Sequence, residues 1–144
     1  MLKVKFYEEV PDELLKFAVI ISRYNEKWIF CKHRERATYE IPGGHREEGE
    51  KILDTAKREL TEETGAVRFR IRPVCVYSVT GANRVNVQGE ETFGMLFFAE
   101  IEELRELHSE IERIELFDEI PEALTYPQIQ PKLMKEAFRR GIPG

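Results

Sequence analysis

Between Gly43 and Val67 the chain reads GGHREEGEKILDTAKRELTEETGAV, and no other stretch constrains the fold as tightly. Two glycines lead into a run whose apolar residues, Ile52, Leu53, Ala56 and Leu60, recur at helical spacing, so one helix face can bury against a sheet. Gly65 supplies the C-terminal stop. Just ahead of it stand Glu59, Glu62 and Glu63, at the end where the helix dipole is negative and favours cations. Glu59 is three residues from Glu62 and four from Glu63, so like charges adjoin on one face. Each such effect costs about half a kcal/mol, and all act in the same direction. A divalent cation reverses the sign of the whole arrangement.

Three carboxylates supply hard oxygen donors, which suit Mg²⁺ or Mn²⁺ and not zinc. Mg²⁺ keeps several waters and prefers sites completed by substrate phosphates, so the pattern points to phosphoryl chemistry. Arg58 can pair with Glu62 or with Glu50 and steady the carboxylates, and Gly43 and Gly44 allow the backbone a close approach. With 22 Lys and Arg against 27 Asp and Glu, the chain carries a formal charge of −5. It has no basic block, which argues against a nucleic-acid polymer as partner but leaves room for a small anionic substrate.

The 144 residues are expected to form one domain, 1–144. Residues 2–7 alternate as a short strand, and residues 17–32 read as a hairpin turning at Arg23-Tyr24-Asn25-Glu26. A loop over 33–38 and a brief extended piece at Tyr39-Glu40-Ile41 precede the glycines. Val67 to Val79 and Thr92 to Ile101 are strands around a loop at 80–90, and Ile114 to Phe117 is a further short strand. Asp118 to Leu124 reads as a short helical turn, and Pro127 opens a helix to about Arg140 with Ile129, Leu133, Ala137 and Phe138 inward. Strands with one helix in the middle and one at the end imply an α/β (α+β) chain, a mixed sheet between helices. The N-terminal MLKVKFYEEV has no long apolar run, so neither a signal peptide nor a membrane span is expected. Cys31 and Cys75 lie in strand-like runs and read as buried free thiols, consistent with a cytoplasmic protein.

The central run resembles the signature of the Nudix hydrolases: glycine, five residues, glutamate, seven residues, then R-E-U-x-E-E-x-G-U with U a bulky aliphatic. Here the positions are Gly44, Glu50 and Arg58-Glu59-Leu60-Thr61-Glu62-Glu63-Thr64-Gly65-Ala66. Every fixed position agrees; Ala66 departs, standing where a larger aliphatic is usual. The resemblance implies a Nudix-type α/β/α sandwich that cleaves the pyrophosphate linkage of a nucleoside diphosphate joined to another group. It implies metal binding by Glu59, Glu62 and Glu63 with the carbonyl of Gly43, Mg²⁺ (or Mn²⁺) as cofactor, and Glu50 orienting Arg58. Catalytic roles fall by the same route on Glu62, Glu63, Arg58 and Glu50. Water attacks phosphorus and a phosphate-containing group leaves.

The family often places a further base or ligand outside this run. Glu90, Glu91, Glu110, Glu112 and Glu115 are candidates, with Glu110 and Glu112 better placed by resemblance. Lys32, Arg34 and Arg36 can meet substrate phosphates, and a solvated basic loop is the equal alternative. Tyr39, Phe93 or Tyr126 can stack on a base, and Asn83, Asn86, Gln128 and Gln130 carry amides able to read a base edge, against defaults of core, turn or helix surface. His33, His45 and His108 show no metal-ligand spacing. The compact chain is similar to the nucleoside triphosphate pyrophosphatases, including those that remove oxidised guanine nucleotides. The alternatives are a hydrolase of ADP-ribose, nucleotide sugars or dinucleoside polyphosphates, a non-catalytic nucleotide-sensing or RNA-end-binding module, and an acidic interaction domain. Partners are a small nucleotide and, by family habit, a second copy as homodimer; no membrane is expected.

Overall fold

The computed structural model describes residues 2–81, 88–106 and 111–142, without the side chain of Glu112. Seven strands form one mixed sheet: β1 (Lys3–Tyr7), β2 (Leu15–Tyr24), β3 (Lys27–His33), β4 (Gly43–His45), β5 (Ala66–Thr80), β6 (Thr92–Leu104) and β7 (Ile111–Phe117). The order is β1-β5-β6-β2-β3-β7, with β4 paired to β2 off this path. β2 and β6 run parallel and the other pairings are antiparallel.

Helix α1 (Ile52–Thr64) and helix α2 (Gln130–Arg139) cover opposite faces. Successive strand residues divide between two cores, as a period of two requires. Ile20, Ile29 and Phe97 pack with Ala56 and Leu60 of α1, whereas Ile21, Phe30 and Phe98 pack with Leu133, Met134 and Ala137 of α2. The α/β/α sandwich expected from the sequence is the observed fold.

The β2–β3 hairpin turns on Asn25 and Glu26, both in the left-handed region (φ 51° and 65°), as a tight two-residue hairpin demands. Beyond the turn the two strands part. β2 pairs with β3 only at Arg23 and Tyr24, and its Phe17–Val19 edge is taken by Gly43–His45. Residues 39–45 therefore enter the opening between β2 and β3, with Glu40 bridged to Cys31 and the Ile20 N–H donated to the Pro42 carbonyl at 2.8 Å. A Cβ at Gly43 would collide with the Ala18 carbonyl, so glycine is required where this segment lies against β2.

Three local readings change. Residues 118–124 form bends and no helix, ending in a bridge from Leu124 to Tyr39. Helix α2 starts at Gln130 and not at Pro127; Pro131, lacking an N–H, sits in its first turn, where no intrahelical acceptor exists. β6 continues past Ile101 to Leu104, and Arg105 then donates its N–H to the Gly65 carbonyl at 2.7 Å. That continuation explains Ala66: the residue is fully buried and paired with Leu104, and the chain at Arg105 already fills the space beside Gly65.

Candidate active site

The signature folds into a loop and a helix that face each other. Gly65 ends α1 in the left-handed conformation (φ 80°), donating its N–H to Thr61 at 2.9 Å. Leu60 and Ala56 face the sheet, so Glu59, Glu62 and Glu63 leave the helix towards the Gly43-Gly44 loop and solvent. Glu63 Oε1 accepts the Gly43 N–H at 2.8 Å. The Glu59 carboxylate occupies the position a Cβ on Gly44 would need. Both glycines therefore have packing reasons, one towards β2 and one towards the helix.

Arg58 ties the carboxylates together. Its Nε and Nη2 donate to the two oxygens of Glu50 at 2.7 and 3.1 Å, Nη2 also to the His45 carbonyl at 3.0 Å, and Nη1 to Glu59 and Glu62 at 3.3 and 3.4 Å. Glu50 is held in turn by the Glu47 N–H and the Thr55 hydroxyl, at 2.9 and 2.8 Å. The Arg58 hydrogen bonds bring the Glu50 carboxyl down to about 2, so it stays charged as the anchor of the brace.

Glu63 and Glu59 behave in the opposite way. Burial pushes the Glu63 carboxyl up to about 8 despite the Gly43 N–H, and the charges of Glu59, Glu40 and Glu62 add to the rise. Glu59 is also raised, by burial, with Arg58 partly opposing it. Their side chains are 12% and 13% exposed, against 52% for Glu62. Partly buried like charges of this kind are stabilised by a cation, and an all-oxygen set suits a hard divalent ion. The residues present thus fit such an ion. Among the described residues no three donors already converge on one point, so the fit rests on donor chemistry and burial.

Other residues expected at the site are distributed unevenly. Arg36 donates to Glu40 at 2.7 Å, whereas Arg34 is exposed. Tyr39 gives its hydroxyl to Glu115 at 2.8 Å and sets its ring edge-on to Phe117, 5.2 Å away, so it is engaged with β7 and does not line the cavity beside the loop. Glu91 accepts from Tyr7 and Ser78 at 2.8 and 2.7 Å. Glu110, the Glu112 side chain, Asn83, Asn86 and His108 lie outside the described residues.

Two features escaped the sequence. Glu40, buried, meets His33 Nε2 at 3.0 Å beside Glu63. Its place two residues before Pro42 was the available signal. The second is a cavity of about 190 Å³ beside Gly43, Gly44 and His45, walled by Phe17, Val19, Tyr77, Ile129 and Leu133. It is assembled where β5, β6 and β2, neighbours in the sheet, meet the start of α2.

Residues 14–140 match the model of the NUDIX domain. The chain belongs to the Nudix family. It is 31% identical over 137 residues to a Bacillus subtilis protein named putative 8-oxo-dGTP diphosphatase YtkD, covering 94% of this chain and 82% of that one. The structure of the B. subtilis pyrophosphohydrolase BsRppH, in a mutant form, superposes with a TM-score of 0.77 at 26% identity, over 97% of this chain and 91% of that one. An ADP-ribose pyrophosphatase from Streptococcus suis superposes with a TM-score of 0.64 at 14% identity, over 88% and 91% of the two chains, a likeness of fold alone. The chain is a Nudix hydrolase acting on phosphorus-containing anhydrides. Nudix hydrolases generally use divalent metals, which accords with the carboxylates of α1. No described helix is long and apolar enough to cross a membrane.

Proposed function

We propose that this Nudix hydrolase is a Mg²⁺-dependent pyrophosphohydrolase of nucleoside triphosphates, oxidised guanine nucleotides among them. The observation that carries the reading is the pair of partly buried carboxylates, Glu59 and Glu63, packed across Gly43 and Gly44 with a cavity of about 190 Å³ alongside. The name of the B. subtilis relative supports the triphosphate class.

Glu59, Glu62 and Glu63, with the Gly43 backbone, would hold the cation. When bound, it neutralises phosphate charge and acidifies water. Arg58, fixed by Glu50, restrains Glu59 and Glu62 through one nitrogen, so it would act as a positioning residue for the two carboxylates. The cavity takes one ring system, being smaller than the ~300–1,000 Å³ of a pocket that encloses a whole ligand. The phosphates then lie outside it, towards the loop and α1. Arg34 and Arg36, basic residues just upstream of the signature, are our candidates for contacts to distal phosphates, with Arg36 released from Glu40, and Glu110 and Glu112 are, by resemblance, our candidates for the general base.

The test is a hydrolysis panel of nucleoside triphosphates, an oxidised guanine triphosphate, sugar nucleotides, dinucleotides and ADP-ribose, with Mg²⁺ and with products identified. Nucleoside monophosphate and pyrophosphate from the triphosphates support the reading. Turnover confined to ADP-ribose or sugar nucleotides, or none at all, overturns it.

A further inference from the structure

Arg46 stands in the loop between β4 and α1, at one of the five positions that the signature leaves open between Gly44 and Glu50. Its backbone N–H donates to the Lys16 carbonyl at 2.8 Å, continuing the pairing of β4 with β2. Its side chain is 17% exposed and makes four hydrogen bonds. Nε donates to the Glu50 carbonyl at 2.8 Å, Nη1 to the carbonyls of Asp12 and Leu15 at 2.8 and 3.3 Å, and Nη2 to the Asp12 carboxylate at 2.8 Å. Arg36, Arg139 and Arg140 donate to carboxylates. Arg46 gives three of its four bonds to main-chain carbonyls instead. A carboxylate can follow an arginine by changing rotamer, whereas a carbonyl moves only with the backbone, so the rigid fork of Arg46 fixes the path of the chain at both ends.

The Glu50 end matters because the loop around it has little packing. Residues 47–49 are exposed, and a Cβ on Gly49, whose φ is 82°, would meet no atom within 4 Å. Lys51, the N-cap of α1, makes no side-chain capping bond. Glu50 lies between that loop and that uncapped end. Its bonds to Glu47 and Thr55 stay within the loop and α1, whereas Arg46 joins its main chain to the start of β2. The Glu50 carboxylate receives Nε and Nη2 of Arg58, and Arg58 restrains Glu59 and Glu62. Arg46 therefore holds the main chain of the residue whose side chain holds the brace.

We infer that Arg46 is a positioning residue of the hydrolytic site: through the Glu50 carbonyl it fixes the Arg58 brace, and with it the carboxylate donors, to the chain at Asp12 and Leu15. The inference rests on the reading of Glu59, Glu62 and Glu63 as donors to the cation. Its sign is opposite to that of charge alone. Removing a cationic side chain beside an acidic cluster tightens metal binding by Coulomb's law, whereas losing the grip on Glu50 weakens it.

Equilibrium binding of Mn²⁺ to the free chain, followed by the electron paramagnetic resonance of the unbound ion, separates the two without turnover. Arg46→Lys keeps the charge and loses the fork; Arg46→Met keeps the stem and loses every donor. Both should bind Mn²⁺ about ten-fold more weakly than the unaltered chain and raise the Mg²⁺ concentration for half-maximal hydrolysis by a similar factor, with the nucleotide KM at saturating Mg²⁺ unchanged. Melting of the metal-free chains reports whether each folds. Unchanged or tighter Mn²⁺ binding in a folded variant, even with a lowered melting temperature, marks a merely structural arginine and overturns the inference. If neither variant folds, the unaltered chain decides by linkage: Mg²⁺ should slow hydrogen exchange at the Arg46 Nε proton, and unchanged exchange overturns the inference. Equal Mn²⁺ binding by the unaltered chain and Glu62→Gln would remove the carboxylate reading and this inference with it. Weaker binding by Glu62→Gln but not by the Arg46 variants would remove this inference alone.

Discussion

Arg58 meets Glu50 through Nε and Nη2 at 2.7 and 3.1 Å, a bidentate contact that a single ammonium cannot reproduce. Lysine at this position keeps the charge and loses the geometry, releasing Glu59 and Glu62 from their shared nitrogen. Arg58→Lys should lower hydrolysis about 10- to 100-fold and raise the Mg²⁺ concentration needed for half-maximal rate. A Mg²⁺ titration of the rate checks both. The brace was legible beforehand because Glu50 and Arg58 stand at fixed positions of one signature. Glu40 and His33 were not, since β3 and the 39–45 segment, far apart in local pattern, are joined by the Cys31–Glu40 bridge. The engagement of Tyr39 with Glu115 was hidden for the same reason: β7 lies 72 or more residues further along the chain and reaches it only through the sheet.

Helix α2 borders the cavity at its start, through Gln130, and carries a charge clamp at its end. Glu136 accepts from Arg139 and Arg140, and Arg140 reaches across to Glu8 at 2.8 Å, linking the helix to the segment after β1. The Arg139 hydrogen bond, with Arg140 assisting, holds the Glu136 carboxyl down to about 2. A depressed carboxyl contributes stability that is present above its unfolded value of ~4 and lost as pH falls towards the folded value. The unaltered chain should therefore lose its advantage over Glu136→Gln between about pH 4.5 and 2, and melting curves across that range should converge at the acid end. Among the elements, the hairpin, the long strands and both helices followed from periodicity. β4 did not, because Gly43 and Gly44 carry no strand propensity and pair with β2 only where β3 has parted from it. The helical reading of 118–124 failed because that segment spends its backbone on the bridge between Leu124 and Tyr39.

At the scale of the molecule, helices on both faces of a mixed sheet follow from alternation that fills two cores at once, with Ile20 and Ile21, or Phe97 and Phe98, taking opposite sides. The signature was readable because its charges lie close together in the chain, on α1 and the loop just before it. The cavity was not, because β2, β5, β6 and α2 contribute its walls from residues 17 to 133. The fold places that cavity against the loop bearing Gly43 and Gly44, which is the arrangement the proposed function uses for the ring and phosphates of one substrate. If α1 and the loop together form a cation site, Mg²⁺ with a nucleotide should raise the melting temperature of the whole chain, by mass action on the folded state. The most direct measurement compares the unaltered chain with Glu62→Gln in a Mg²⁺-dependent hydrolysis assay. Glu62 is half exposed and packs no core, so its replacement removes a donor charge without unfolding the chain. The expected result is a loss of about 100-fold or more in rate with the melting temperature of the metal-free protein unchanged or raised. A Glu62→Gln chain that hydrolyses its substrate at near the unaltered rate would contradict the assignment of these carboxylates to the metal.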